Sequence, residues 1–314
     1  LKWTSMAYLL LILLQNHDGD KVINDKLSVT QEGKIISTIN RNAHTFPVFP
    51  LLDIDKYDKW VNELDRKTYR EATNARINNN EQIVSGQNGF KLNRIEFLKR
   101  YYEYLYGIGP ASVEVPMYPV YPEVDAELLA SLRSKQISNY VTYYNSSNKD
   151  RSHNIALAAK AINSTVIFPG ETFSFNQVVG IRTTGKGYRR ASVIVRGELS
   201  EGVGGGICQV SSTLFNAVDR AGLNILKRYS HSRHVTYVPP GRDATVSWGG
   251  PDFVFKNAYN QPILIRAFAG GGSMSVTLFS SDVIEFSSRK VPSMSNRLPE
   301  EINDPSPKPA NVKE

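Results

Sequence analysis

The chain of 314 residues contains a single cysteine, Cys208. One thiol excludes an intramolecular disulfide and any zinc site built from several cysteines. No run of five or more lysines and arginines occurs, and no zinc-finger spacing, P-loop or RNA-binding signature is found. Together these absences argue against a nucleic-acid partner. Tandem repeats are lacking, and so is any apolar run of the roughly 20 residues that a membrane-spanning helix requires. What remains is globular material, 41% hydrophobic and 10% aromatic, which is enough for buried cores. The length suggests two domains. A formal charge of +7 suits anionic surroundings such as acidic polymers or a membrane surface.

Behind Lys2, residues 3–14 end in a leucine-rich run, and polarity returns at Gln15. The positive start and short apolar stretch fit an export signal. No small-x-small cleavage pattern follows, so residues 1–21 are read as a signal or anchor segment, uncleaved or atypically cleaved. The expectation is an extracytoplasmic protein, held at the cell membrane or secreted.

Residues 22–124 read as a first α+β domain. A helix from Asp53 puts Tyr57, Trp60, Val61 and Leu64 on one face, and short strands are expected at 75–78 and 82–84. Asn93 caps a second helix carrying Ile95, Phe97, Leu98, Tyr101, Tyr102 and Leu105. The prolines of residues 115–122 lack ladder donors, so this stretch reads as a semi-extended exit. A linker helix at 125–137 then leads to a strand-rich second domain at 138–281. Residues 282–314, rich in Pro, Ser, Asn and Lys, have the composition of a disordered tail. The fold class is α+β in two domains, the second with a Gly-Gly-Gly turn leading into a central helix.

That turn holds the thiol, in Gly204-Gly205-Gly206-Ile207-Cys208-Gln209. Beyond it Val210, Leu214, Ala217, Val218 and Ala221 recur at helical spacing, and Gly222 stands where a C′ glycine belongs. Cys208 is thus placed at a helix start, whose positive end lowers a thiol pKa and whose free N–H groups can receive an oxyanion. The glycines let backbone approach a ligand closely. With Gln209, Ser211 and Arg242, they are the candidate ligand contacts. Downstream, His231 is the candidate base and Asp243 the group that orients it, in the order of many thiol peptidases and acyl transferases. The plainer alternatives are a packed thiol and a local Arg242–Asp243 ion pair. His231 and His234 lack the companions of a metal site, and no metal or cofactor is expected.

Five segments are similar to the VanW-like family, named for an accessory protein of vancomycin resistance. They are PGETFSFN, GYRRASVIVRGE, GGGICQVSSTLFNA, HSRHVTYVPPGRDATV and PDFVFKN, in that order between residues 154 and 266. His231 falls on the family's His-Ser pair, whereas His234 stands where the family often has proline. Upstream, ATNARINNNEQIVSGQNGFKLN and SVEVPMYPVYPEV resemble a peptidoglycan-binding domain that often precedes such regions. The resemblance implies a cell-wall factor and supplies no catalytic role.

Two readings of function follow. The first is a cell-envelope factor that binds peptidoglycan or its stem peptides. The second is a Cys-His thiol enzyme performing acyl transfer or amide hydrolysis on wall peptides. They part on one observation: whether a His231 nitrogen lies within hydrogen-bond reach of the Cys208 sulfur.

Overall fold

The computed structural model describes residues 25–47, 51–78, 80–195 and 198–295. The segment read as an export signal lies outside them. Among the described residues no helix is long and apolar enough to cross a membrane. The chain forms two compact units, one of residues up to Thr73 with Gln87–Glu123, the other of Asn74–Gly86 with residues from Val124 onward.

The first unit opens with strands β1 (Lys26–Gln31) and β2 (Lys34–Asn40), paired antiparallel. Helix α1 (Ile54–Thr68) follows, its first turn capped by the Asp53 carboxylate, which accepts the Lys56 N–H. Its buried face is Tyr57, Trp60, Val61 and Leu64, as the spacing predicts, with Thr68. The chain then contributes a hairpin of β3 (Arg76–Ile77) and β4 (Ile83–Val84) to the second unit, although sequence order alone assigned it to the first. The pull is physical. Ala75 and Ile77 are buried with Leu129, Leu132 and Leu264, and the Arg266 guanidinium meets the Ile77 carbonyl and Glu81.

The first unit resumes with β5 (Gly89–Leu92) and helix α2 (Arg94–Leu105), capped by Asn93. Strands β6 (Ala111–Glu114) and β7 (Met117–Val120) complete it. β6 runs parallel to β1 and β7 pairs with β5 alone, so Pro119 sits in a two-stranded ribbon. Helix α2 buries Phe97, Tyr101, Tyr104 and Leu105 against Leu27, Val29 and the face of α1, while Ile95 stays outside.

In the second unit helix α3 covers only Ala126–Leu132, and strand β8 (Lys135–Tyr143) begins where the linker helix was expected to continue. The alternation of buried Ser138, Tyr140 and Thr142 with half-buried Asn139, Val141 and Tyr143 shows why strand prevails there. Helix α4 (Lys149–Ile162), capped by Asn148, leads to β9 (Val166–Ile167), β10 (Thr172–Ser174) and the short helix α5 (Phe175–Val179). A ribbon of β11 (Arg190–Val195) and β12 (Glu198–Val203) delivers the chain to the glycine turn. Helix α6 (Ile207–Arg220) follows, then β13 (Asn224–Lys227), β14 (Val254–Lys256), β15 (Ile263–Gly270) and β16 (Ser273–Ser280). One sheet has the order β8-β16-β15-β9 and another β10-β14-β13, both antiparallel.

Helix α6 is the core of this unit. Val210, Leu214, Ala217 and Val218 are fully buried among Ile137, Tyr140, Phe253, Met274 and Val276. Each large apolar side chain so placed contributes about 1.5–3 kcal/mol. Two of its buried polar residues bond within the helix: Ser212 and Thr213 donate to the carbonyls of Cys208 and Gln209 at 2.7 Å each.

The expected tail is corrected over 282–295. Ile284 is buried, Phe286 and Val291 pack on the core, and Arg220 donates to the Val291 carbonyl and the Ser293 hydroxyl. Gly222 shows how close the approach is, since a Cβ there would lie 1.9 Å from the Ser287 carbonyl oxygen. Proline and serine exclude regular structure in this stretch, but sparse apolar residues suffice to dock it.

Candidate active site

Chain direction is set by the glycine turn. Gly204 and Gly206 adopt φ of +92° and +104°, and Gly206 is the N-cap residue of α6. Gly205 faces the opposite constraint, for a Cβ there would lie 2.6 Å from the carbonyl oxygens of Ala191 and Ser192. Asn154 of α4, fully buried, clamps the turn. Its amide donates to the carbonyls of Arg189 (2.9 Å) and Gly205 (3.0 Å), and its oxygen accepts the Arg189 N–H at 2.8 Å. The turn therefore delivers Cys208, half-buried, to the first turn of a rigid core helix.

First-turn N–H groups have no intrahelical acceptor. Those of Ile207 and Gln209 turn back to the carbonyls of Gly204 (3.3 Å) and Gly206 (3.0 Å). The Cys208 N–H has no such partner among the described residues and is the donor placed to meet an oxyanion at the sulfur.

Three predicted residues come together here. His231 Nδ1 hydrogen-bonds the Asp243 carboxylate at 2.7 Å, and the same oxygen accepts the His231 backbone N–H at 2.6 Å. The imidazole also interacts with the Cys208 sulfur, by charge and within hydrogen-bonding reach, and with Nδ1 taken by Asp243, Nε2 is the nitrogen left for it. The His231 side chain is 5% exposed and that of Asp243 10%. Thr245 and Val246, in the segment after Asp243, complete the surroundings, with the Thr245 hydroxyl 3.7 Å and the Val246 carbonyl 3.6 Å from the sulfur.

Charge follows from these contacts. Burial pushes the Cys208 thiol up, but its hydrogen bond with the imidazole, the imidazolium charge and bonds with Val246 and Thr245 outweigh burial and hold it below its ordinary value. Burial likewise pulls His231 down, but hydrogen bonds to Asp243 and Cys208, with their charges, push it up to about 9. Asp243 is raised by burial and lowered further by both His231 bonds, so it stays ionised. The two shifts together favour the charged form of the pair, a thiolate beside an imidazolium.

Asp243 is thus the partner of His231 rather than of Arg242. The Arg242 guanidinium lies over the Phe215 ring and bonds Asn216 at 2.8 Å and Asp219 at 2.7 Å. Gln209 is also committed inward. Its amide donates to Thr142 and Tyr143, both at 3.0 Å, and its oxygen accepts from Arg151 at 2.8 Å. Ser211 is fully buried. Arg242 and Gln209, read from sequence as ligand contacts, hold the fold, Ser211 lies in the core with its hydroxyl unpaired among the described residues, and the glycines shape the turn. His234 is exposed and takes no part, and no metal-holding group of His, Cys, Asp and Glu occurs among the described residues.

Sequence reasoning passed over Asn154, Thr245, Arg182 and the buried Tyr237. Ser212 accepts the Ala244 N–H at 2.8 Å and so ties the segment of Asp243 to α6, with the buried Tyr237 hydroxyl close by.

The sequence is similar to known proteins. The family model described as VanW like protein matches residues 150–279, which include the thiol, the imidazole and the carboxylate. YoaR of Bacillus subtilis (strain 168) is 61% identical over 281 residues, 89% of this chain and 93% of that protein. The Vancomycin B-type resistance protein VanW of Enterococcus faecalis (strain ATCC 700802 / V583) is 36% identical over 109 residues, covering 33% of this chain and 40% of that protein. No solved structure matches significantly. The chain belongs to the VanW-like family.

Proposed function

We propose that this protein is a thiol enzyme of the cell envelope, acting by acyl transfer or amide hydrolysis on a peptide of the cell wall. The observation that carries the reading is the line Cys208–His231–Asp243 at the start of a buried helix, the imidazole hydrogen-bonded to the carboxylate and coupled to the thiol. The Cys208 thiolate adds to the scissile carbonyl, and the oxyanion is received by the Cys208 N–H. His231, protonated at Nε2, gives its proton to the leaving amine as the C–N bond breaks, leaving a thioester. His231, now neutral, takes a proton from the incoming water or amine, which attacks the thioester and releases the thiolate. Asp243 holds the tautomer and orientation of the ring throughout.

The wall setting is supported by the relative named for vancomycin resistance and by the family. Placement outside the cytoplasm and attachment to the membrane rest on residues 1–21 of the sequence. A peptidoglycan- or stem-peptide-binding role for the first unit rests on the resemblance of its segments.

Alkylation of Cys208 against pH, followed by intact mass, tests the chemistry. The reaction midpoint is expected below the pKa of about 8.5 of a free thiol, and His231→Ala is expected to raise it. Cys208→Ser is expected to abolish turnover of wall peptides while leaving their binding intact. A Cys208 that resists alkylation, with turnover kept in Cys208→Ala, overturns the enzyme reading and leaves a binding factor.

A further inference from the structure

Arg182 is an anomaly among the arginines of the second unit. Arg220, Arg228, Arg242 and Arg266 all end on carbonyl or carboxylate oxygens. Both terminal nitrogens of Arg182 are buried and have no hydrogen-bond partner among the described residues. A guanidinium is charged under all ordinary conditions, and leaving its N–H groups desolvated and unpaired is costly. Stacking offsets part of this cost, with the guanidinium carbon 5.7 Å from the centre of the Phe175 ring. Asp252 lies within electrostatic reach, but its oxygens are occupied by the Ser174 hydroxyl (2.6 Å) and the Asn176 N–H (2.9 Å).

Position gives the anomaly a meaning. A Cβ at Gly204 would lie 3.3 Å from Arg182 Cβ and 2.9 Å from Ile207 Cδ1, so Arg182 packs on the glycine turn that carries the nucleophile. Its charge is coupled to that of Cys208, yet the sulfur is not its hydrogen-bond partner. A flat, two-oxygen anion is the group that satisfies both terminal nitrogens at once.

Resting on the thiol-enzyme reading, we propose that Arg182 docks a carboxylate of the substrate next to the scissile carbonyl, so that the enzyme selects acidic peptides, cleaved beside a free carboxylate. The carboxylate reaches the closed guanidinium as residues 180–187 give way. That segment is bounded by Gly180 and Gly187, at φ of +74° and +85°.

The test compares two alkylating reagents at Cys208 in the full chain, anionic iodoacetate and neutral iodoacetamide. In Arg182→Gln the iodoacetate-to-iodoacetamide rate ratio is expected to fall about tenfold or more. A merely structural arginine would slow both reagents together. An unchanged ratio, with both reagents still fast, overturns the carboxylate site and leaves the thiol-enzyme reading standing. A wild-type Cys208 inert to both overturns the two together. Should Arg182→Gln fail to fold, the wild-type chain supplies the measurement. N-acetylglycine is then expected to slow iodoacetamide alkylation and its amide is not, and equal effects of the two overturn the proposal.

Discussion

His44 in the first unit and His231 in the second are both buried imidazoles, and they are driven in opposite directions. His44 lies 4.8 Å from the Trp60 ring, centre to centre, with Tyr57 and Tyr101 around it. Its Nδ1 meets the Tyr101 hydroxyl at 3.2 Å. Burial, and then the Lys56 charge, lower its pKa, and Asp53 only partly opposes them. His231 is also lowered by burial but has a carboxylate at Nδ1 and a thiol across the ring, and it rises to about 9. Burial alone makes a neutral packing group. The same burial with an ionised partner on either side makes an acid–base group. Histidine content is therefore a poor guide to chemistry, and the neighbours of each ring decide it.

The comparison is broken most directly at Asp243. In Asp243→Asn the ring loses its countercharge, so His231 is expected to move down toward the behaviour of His44. The thiol, deprived of an imidazolium, is expected to move up. Turnover should fall by about 10²–10⁴, the usual contribution of a positioned acid–base group. The alkylation profile of Cys208 should shift to higher pH in the same variant. A profile that stays where it is would mean that Asp243 serves only to hold the loop through the His231 N–H.

A second change sharpens the geometric side and touches neither charge. Gly205→Ala forces a Cβ to within 2.6 Å of backbone atoms of Ala191 and Ser192, which have no rotamer with which to yield. Overpacking of this kind costs about 1–3 kcal/mol. The turn that aims Cys208 must shift, and a displacement near 1 Å lowers turnover by up to about 10²-fold. Thermal unfolding and turnover should both change, while the first unit keeps its aromatic cluster. Unaltered turnover with unaltered stability would show that the turn is plastic and that helix position alone places the sulfur.

These positions differ in how visible they were in the sequence. Helix α6 was legible because its apolar spacing runs uninterrupted between two glycine signals, and the Cys, His, acid order followed from residue chemistry. Helix α1 was legible for the same reason, its four-residue face being complete. Arg242 was misread because adjacency to Asp243 suggested a pair, whereas the Arg242 N–H closes a turn onto the Pro239 carbonyl and its guanidinium finds Asp219 instead. The stretch from 282 was misread because composition reports the absence of regular structure and not the absence of docking. Asn154 and Arg182 were invisible because both act across long sequence separations, on backbone carbonyls or on an aromatic face, and such contacts leave no local pattern.

The smallest effect is expected at His44, where the comparison predicts a stability change that depends on pH and no change in turnover. With its folded pKa below the unfolded value of 6.5, His44 binds fewer protons in the folded state. Its contribution is therefore complete above about 6.5 and is lost as pH falls through the lowered folded value. His231 has the reverse sign: its share is complete below the unfolded value and is lost as pH rises through about 9. Cys208, lowered, offsets part of that share, because its own contribution is kept at high pH and lost on acidification. His44→Phe keeps an aromatic ring in the cluster, removes the titration and leaves the Tyr101 hydroxyl without its partner, at a cost of about 1 kcal/mol. Urea unfolding of the full chain at pH 7.5 and 5.0 reads the difference. At the higher pH the variant should be the less stable of the two, and at the lower pH the gap should close, because only the wild type must then exclude a proton from the Trp60 cluster. A gap that stays constant across the two values would mean that His44 accepts its proton in place, with Asp53 near enough to hold it, and the contrast with His231 would then be one of degree.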